Sequence, residues 1–344
     1  MILFTAHRES ITLSPGQRWA APAPENTYRD TAASDLREIV KSIRTGTPWR
    51  EAVKSRYAQS HPWLYRVVTS PQRDLFFRQH PPHANSRVLD VGAGWGQISL
   101  PHAQAGHSVT ALEPTPERLA FIEAAAHQEK IASRMYFIQG DAFEIDFAPQ
   151  FDLVCCIGVL EWVPKFRAGD PRTVQIEFLQ KLRSALAPGG QLVIGIENRL
   201  GLKYVLGAPD DHIGLSDIAV YDADLATKKY RAKTGGELRS FTFTEAELRD
   251  LLAAAGFSTA DFHGAFPDYK LPETILPLNE LNQQLTKTEI PTEHNGTDGT
   301  TLPNQAELAS HYRSLAQLGV AHAFAPSFFV RAYARSASGP PASR

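Results

Sequence analysis

The chain of 344 residues has 43% hydrophobic and 21% charged residues and a formal net charge of -2. This composition is typical of a soluble globular protein with one large domain or two small ones, and the near-zero charge excludes a global electrostatic attraction to nucleic acid or anionic membranes. No segment reaches the length of a transmembrane helix and the apolar start is too short for a signal peptide, so we expect a cytoplasmic protein.

The cysteines and histidines give no signature of a disulfide or a metal site. Cys155 and Cys156 are adjacent in an apolar run, and neighbours in a strand point to opposite faces. The one tight histidine pair, His80 and His83, lies in a proline-rich loop without further ligands at metal-binding spacing.

The first 85 residues precede the strand pattern of the rest of the chain. Residues 1–30 are mixed in character and contain three prolines, so we expect an extended arm. Apolar residues then recur at helical spacing from about residue 33 to residue 79. We predict that residues 1–85 form an N-terminal arm and a helical cap.

From residue 86 onward, strand and helix patterns alternate. The predicted strands are 87–91, 108–112, 135–139, 151–159, 191–196, 257–263 and 325–334. Three of the intervening helices have recognisable starts, at Thr115-Pro116, at Asp170-Pro171 and at the capping box from Thr244 to Glu247. Strands separated by amphipathic helices indicate βαβ units and an α/β fold with a mostly parallel sheet.

Two stretches interrupt this alternation. Residues 198–243 follow the fifth strand and are predicted to form a lid, whereas residues 266–320 precede the last strand and include a turn-rich surface loop at 286–304. The predicted α/β domain therefore spans residues 86–335, and residues 336–344 are predicted to be a disordered tail.

A glycine-rich turn follows the first strand of this domain in the sequence DVGAGWG, with Gly92, Gly94 and Gly96. Glycine lets a turn approach a ligand where a Cβ atom would collide. Glu113 ends the next strand, where a carboxylate can accept hydrogen bonds from ribose hydroxyls, and Asp141 follows the third strand, where it could hold an adenine amino group. Open α/β sheets bind ligands at this edge, the carboxyl ends of their strands.

A nicotinamide-dependent dehydrogenase uses the same topology but requires the spacing G-x-G-x-x-G. Here Gly96 is followed by Gln97, Ile98 and Ser99, and the chain shows no second nucleotide-binding half. The glycine pattern therefore argues against a dehydrogenase.

Together, DVGAGWG, Glu113, Gly140-Asp141 and LAPGGQLVI resemble class I S-adenosylmethionine-dependent methyltransferases over roughly residues 87–265. The resemblance implies S-adenosyl-L-methionine as the cofactor and a Rossmann-like, mostly parallel sheet of seven strands with the last strand antiparallel. It also implies that the methionine part of the cofactor, its ribose and its adenine are held in that order along the strand ends. The predicted cofactor-binding residues are Asp90, Gly92, Ala93, Gly94, Gly96, Glu113, Pro114, Asp141, Ala142, Ile157 and Gly158.

A narrower resemblance covers more of the chain. The segments IENRLGLKY, GAPDDH and PDYKLP are similar to segments of bacterial methyltransferases associated with surface-polysaccharide and other glycan clusters. The similarity extends to residues 61–75 and 324–332. It implies that the acceptor is a sugar or a related small molecule.

A hydroxyl acceptor needs a group that removes its proton. His212 is the candidate base because the ordinary pKa of histidine is about 6.5, and Asp210 or Asp211 could orient its ring. Glu197 is the alternative base. The competing explanation for this acid-acid-histidine stretch is a helix cap or a tight turn.

Further polar and aromatic residues follow the fourth and fifth strands. Glu161 and Trp162 could cover the sulfonium by charge and by cation–π attraction, although Trp162 could equally be a core residue. For Arg199 we favour an internal salt bridge that anchors the lid. The predicted substrate-binding residues are Glu161, Trp162, Asn198, Tyr204 and Arg231.

Two basic stretches bear on the acceptor. Residues 36–80 contain nine Lys or Arg against three acidic residues, and residues 228–239 are similarly basic. If both stretches lie over the cleft, we expect an anionic acceptor. One competing explanation is that they are solvated helix faces. The other is RNA binding, which the sequence pI of 6.6 does not favour.

The predicted function is therefore methyl transfer to a hydroxyl of a small molecule or glycan. The alternatives are N-methylation of a small metabolite or RNA, and a non-catalytic cofactor-binding scaffold. The sequence does not identify the acceptor and is compatible with a homodimer.

Overall fold

The computed structural model describes residues 1–22, 24, 26–287 and 305–334. Within these residues the strands are β1 (Ile2–Ala6), β2 (Glu9–Leu13), β3 (Arg18–Ala20), β4 (Arg87–Val91), β5 (Ser108–Glu113), β6 (Met135–Gln139), β7 (Ile145–Phe147), β8 (Phe151–Ile157), β9 (Leu186–Glu197), β10 (Phe257–Phe266), β11 (Thr274–Pro277) and β12 (Ser327–Ala334). The helices are α1 (Ala33–Arg44), α2 (Trp49–Tyr57), α3 (Pro62–Thr69), α4 (Leu75–Gln79), α5 (Ser99–Gln104), α6 (Pro116–Gln128), α7 (Pro171–Ala185), α8 (Leu202–Val205), α9 (Ala223–Thr234), α10 (Glu245–Ala254), α11 (Leu281–Leu285) and α12 (Gln305–Gln317).

Nine strands form the central sheet in the order β11-β10-β12-β9-β8-β4-β5-β6-β3. Neighbouring strands from β9 to β3 are parallel, whereas β12 is antiparallel to both β9 and β10. The predicted α/β class, the largely parallel sheet and the antiparallel last strand are confirmed, but the predicted number of seven strands is wrong. The additional edge strands β3 and β11 have only three and four residues, too few for an apolar pattern to reveal them.

The N-terminal arm contains strands, contrary to the predicted extended chain. β1 and β2 form a hairpin, and β1 also pairs with β7 in a separate three-stranded sheet. Ile2, Phe4 and Ala6 are buried, and the ring centroid of Phe4 lies 5.2 Å from that of Trp19. The alternation in ILFTA is thus a strand pattern, which the prediction of an extended arm overlooked.

The helical pattern predicted for the cap is confirmed by α1 to α4. One face of α1 is buried, through Leu36, Ile39, Val40 and Ile43, and packs against α2 and α6. Further along the chain, Asp170 caps α7 and the capping box of α10 is present, as predicted. Thr115 stands at the N-cap of α6, but its side chain makes no capping hydrogen bond.

The two interrupting stretches contain regular structure as well as loops. Residues 198–243 include α8 and α9, and the second stretch includes β11, α11 and α12. Of the loop predicted at 286–304, only residues 286 and 287 belong to the described residues. The predicted tail at 336–344 lies outside them. None of the helices in the described part of the chain is long and apolar enough to cross a membrane.

The apolar core lies on both faces of the central sheet. Cys155 packs in the cluster that includes α1 and α6, and Cys156 packs in the cluster that includes α7. The two thiols therefore point to opposite faces, as predicted. Both are free, and burial raises the pKa of each.

Candidate active site

A cleft of about 820 Å³ opens where β4, β8 and β9 end. The glycine-rich turn forms one part of its wall, α3 and the arm form another, and the lid forms a third. The predicted cofactor-binding residues that line it are Asp90, Gly92, Ala93, Gly94, Ile157 and Gly158.

The turn after β4 has a backbone conformation that favours glycine. Gly92 and Gly94 have φ angles of +68° and +57°, in the left-handed region. A Cβ atom on Gly92 would lie 2.7 Å from Cγ2 of Val159. The N–H of Gly94 donates a hydrogen bond of 2.8 Å to Oε2 of Glu113. At Gly92 and Gly94 the turn therefore presents only backbone to the cleft, whereas Trp95 and Gln97 of the same turn also line it.

Asp90 lies at the end of β4 and is 3% exposed. Its Oδ2 accepts a hydrogen bond of 2.6 Å from the hydroxyl of Ser99, at the start of α5. Burial raises the pKa of Asp90 to about 6, although the hydrogen bond from Ser99 and the charge of Arg73 oppose that increase. The carboxylate is thus a poorly solvated group at the edge of the cleft.

Glu113 does not line the cleft, and its predicted contact with ribose stays a prediction. Its carboxylate is 2% exposed and accepts hydrogen bonds from the N–H groups of Gly94 and Thr115. In this arrangement Glu113 stabilises the glycine-rich turn and the start of α6.

The other predicted cofactor residues that do not line the cleft are Gly96, Pro114, Asp141 and Ala142. Asp141 accepts a hydrogen bond from the N–H of Phe143 and lies 3.4 Å from Nη1 of Arg167. A Cβ atom on Gly96 would lie 3.1 Å from Ile122, so this glycine permits close packing of the turn on α6.

The arm supplies two cleft residues that were not predicted, Tyr28 and Asp30. Oδ1 of Asp30 lies 2.5 Å from Nη2 of Arg118 on α6, and the ring centroid of Tyr28 lies 4.8 Å from that of Trp162. The arm therefore crosses from the glycine-rich side of the cleft to the side of Trp162. Its irregular, proline-rich sequence carries no pattern from which this position could be predicted.

The cap supplies aromatic and basic residues to the cleft. Trp63 and Arg66 on α3 line it, and so does Arg73 just before α4. Arg73 donates a hydrogen bond of 3.4 Å to the carbonyl oxygen of Lys270, while its buried Nε–H has no hydrogen-bond partner within the described residues. The cap thus brings positive charge to the cleft, as expected if residues 36–80 lie over it.

On the lid side, His212 lies among three carboxylates. Its Nε2 is 3.4 Å from Glu197 and 3.7 Å from Glu161, and its Nδ1 is 3.3 Å from Asp210. The ring centroid of Trp162 is 4.9 Å away. Of the two predicted orienting residues, it is Asp210 that contacts the ring.

The charges around His212 determine its protonation. Burial would lower its pKa, but the neighbouring carboxylates, foremost Glu197, raise it well above 6.5. Burial would raise the pKa of Glu197, but Lys270 and His212 lower it to about 2. Both shifts act against a general-base role for His212 and Glu197 at neutral pH, whereas burial raises the pKa of Glu161.

Asp211 belongs to a neighbouring group with two lysines. Its carboxylate lies 2.8 Å from Nζ of Lys203 and 3.3 Å from Nζ of Lys270. Lys270 also contacts Glu197 at short range and lies 3.4 Å from Asp268. Lys270 comes from the PDYKLP segment, for which the sequence predicted a family resemblance but no role.

The predicted substrate-binding residues are only partly brought together. Trp162 lines the cleft, and Glu161 lies directly behind His212 and is fully buried. Asn198 is also fully buried, but it is bonded to backbone groups, including the carbonyl oxygens of Ala323 and Ala325. Asn198 does not line the cleft, and its predicted contact with the acceptor stays a prediction.

Tyr204 and Arg231 do not line the cleft either. Tyr204 is buried beside Lys203, and Arg231 is exposed on α9. Arg199, by contrast, forms the predicted internal salt bridge. Its Nε and Nη2 each lie 2.7 Å from the carboxylate of Glu247, which joins the lid to α10.

Comparison with known proteins agrees with this geometry. Residues 89–194 match the family described as a methyltransferase domain. The tRNA 5-carboxymethoxyuridine methyltransferase of Escherichia coli (strain K12) is 35% identical over 118 residues, which are 34% of this chain and 42% of that protein. The ubiquinone biosynthesis O-methyltransferase of Psychrobacter arcticus is 30% identical over 53% of this chain and 62% of that protein.

Both matches thus span less than two thirds of the relative's length. Among solved structures, the CcbJ methyltransferase from Streptomyces caelestis is 15% identical with a TM-score of 0.45, over 77% of this chain and 89% of that chain. The matched segment runs from β4 to β9 and includes the glycine-rich turn. It is a methyltransferase domain of the S-adenosylmethionine-dependent type.

Proposed function

We propose that the whole protein transfers a methyl group from S-adenosylmethionine to a hydroxyl of an anionic small molecule, sugar or glycan. The observation that carries this proposal is a cleft with the glycine-rich turn at one side and a cap with Trp63 and Arg66 at another. Methyl transfer mainly requires that donor and acceptor be aligned, and alignment can contribute ~7–11 kcal/mol. A cleft with walls from three parts of the chain suits that requirement.

The glycine-rich side suits the cofactor. Asp90 can accept a hydrogen bond from the amino group of the methionine part, and Arg73 has an unbonded, buried Nε–H with which to bind its carboxylate. Trp162 and Tyr28 provide aromatic surfaces beside a sulfonium. These assignments are proposals for the bound state.

The remaining wall suits a sugar-like acceptor with a negative charge. The indole of Trp63 offers an apolar face, and Arg66 offers a guanidinium for a carboxylate or phosphate. We infer that the acceptor hydroxyl is activated at the group formed by Glu161, Glu197 and His212. We also propose that the protein is cytoplasmic and that it acts with the enzymes of surface-polysaccharide or other glycan clusters.

The first test is calorimetric titration of the purified protein with S-adenosylhomocysteine, with NADH as the control. We expect micromolar binding of the former and none of the latter. Gly92→Ala should weaken binding at least tenfold, because its Cβ atom would collide with Val159. Absence of binding by the wild-type protein would contradict the proposed cofactor site.

The acceptor class is tested with a labelled methyl donor and a panel of neutral sugars, uronic acids, sugar phosphates, amines and tRNA. We expect the wild-type protein to methylate the uronic acids and sugar phosphates. We expect Arg66→Gln to lose the preference for these acidic acceptors over neutral sugars. Label in amines or tRNA alone would favour the alternatives of N-methylation or RNA methylation. Cofactor binding without label in any acceptor would favour a scaffold.

A further inference from the structure

Three carboxylate oxygens behind the cleft have no hydrogen-bond partner in the described part of the chain. They are both oxygens of Glu161 and Oε2 of Glu197. Both side chains are fully buried. A buried carboxyl oxygen without a hydrogen bond is destabilising, and the His212 ring approaches these oxygens only to 3.4 and 3.7 Å, which leaves them able to take a further partner.

The position of His212 shows where that partner belongs. One oxygen of each glutamate and Nε2 of His212 lie within 4.8 Å of one another. The separations of 3.4 and 3.7 Å from Nε2 are longer than good hydrogen bonds. Ligand atoms that share one divalent cation at a distance of about 2.1 Å are about 3–3.5 Å apart. The separation of 3.4 Å lies within this range and that of 3.7 Å lies slightly above it, so a small movement of Glu161 would let the three groups share one ion.

The charge of the surroundings also favours a cation. Lys270 occupies the side of Glu197 that faces Asp211 and Asp268, so one oxygen of Glu197 is already partnered. Its other oxygen faces His212 and Glu161. With Asp210 included, five carboxylates surround two lysines and one histidine in this part of the protein.

We propose that Glu161, Glu197 and His212 form a site for a divalent cation such as Zn²⁺ or Mn²⁺. One imidazole nitrogen and two carboxylates are a ligand set that both ions accept. His212 and Glu197 line the cleft, so the open coordination position faces the acceptor. If the proposed function holds, the cation would bind the acceptor hydroxyl and lower its pKa, so that the hydroxyl proton could leave to solvent as the oxygen takes the methyl group.

The sequence predicted no metal site because the three ligands come from separate parts of the chain. Glu161 follows β8, Glu197 ends β9, and His212 lies in the lid. The parallel arrangement of β8 and β9 brings the first two together, and the lid adds the third. Metal-binding spacing along the chain could therefore not reveal the site.

The test is calorimetric titration of chelator-treated full-length protein with Zn²⁺ and Mn²⁺, without cofactor. We expect one equivalent to bind, and Glu161→Gln to weaken binding at least tenfold, since it keeps the shape but removes a charge. Glu245→Gln, which changes a partly exposed glutamate paired with Arg249, is the matched control and should bind as the wild type does. Circular dichroism of each variant confirms that it is folded.

Absence of binding by the wild type, or equal affinity in Glu161→Gln and the wild type, would overturn the inference. If Glu161→Gln does not fold, Glu161→Asp serves instead, and it should bind with reduced affinity and a changed electron paramagnetic resonance spectrum of Mn²⁺. Methyl transfer in excess chelator would refute the cation's role while leaving the proposed function intact. Metal binding without binding of S-adenosylhomocysteine would support the cation site and contradict the proposed function.

Discussion

Replacement of Asp90 by asparagine should make the protein more stable at high pH and impair cofactor binding. Burial raises the pKa of this carboxyl from 3.8 to about 6. In the window between these two values folding takes up a proton, so the free energy of unfolding falls as the pH rises through it. The difference of about two pH units corresponds to ~3 kcal/mol.

The asparagine side chain has the shape of the acid but never ionises, and its oxygen can still accept the hydrogen bond from Ser99. Urea denaturation of Asp90→Asn and the wild type at pH 4 and pH 8 measures the effect, because all other titrating groups are common to both proteins. We expect Asp90→Asn to gain up to ~3 kcal/mol relative to the wild type between these pH values. A difference between the two proteins that is the same at both pH values would refute the reasoning.

Two further predictions concern the walls of the cleft and the lid. Gly158→Ala should destabilise the protein by ~2–4 kcal/mol in urea denaturation and weaken S-adenosylhomocysteine binding, because φ is +71° and the new Cβ atom would lie 2.7 Å from the hydroxyl oxygen of Tyr269. The control is Gly235→Ala, where φ is +73° but no atom lies within 4 Å of the new Cβ atom. It should lower the free energy of unfolding by only ~1 kcal/mol. Equal losses would mean that the backbone angle alone matters. Arg199→Met should increase proteolysis of the lid, because it removes both hydrogen bonds to Glu247; an unchanged cleavage rate would contradict this anchoring role.

The sequence predicts the central domain well because its signals are local. The glycines after β4, the capping residues and the apolar strands each act on their immediate neighbours in the chain. The motif DVGAGWG by itself therefore places Asp90 and Gly92 at the cleft. The strand β1 was missed for a different reason, because its apolar alternation extends over only five residues and lies next to irregular, proline-containing sequence.

The polar cluster could not be predicted in this way. Lys270 meets Glu197 across 73 positions of the sequence, and Arg73 approaches Lys270 across 197 positions. The sequence identified His212 as important, but its charge depends on Glu161 and Glu197, which act on it only in the folded chain. Glu113 was predicted from its place at a strand end, but the hydrogen bonds that it accepts from the N–H groups of Gly94 and Thr115 become visible only in the folded chain.

Stability alone does not explain why so many charges are buried beside the cleft. Replacing a buried ion pair by apolar residues of similar volume is often neutral or stabilising, and apolar clusters already cover both faces of the sheet. Glu161 is the clearest case, because it gains no hydrogen bond from any described residue and still lies fully buried behind His212. A carboxylate in that position raises the energy of the resting protein. It would become favourable when a cation or an acceptor proton reaches it, and for this reason we propose that the chemistry of the cleft takes place at this cluster and not at the basic surface of the cap.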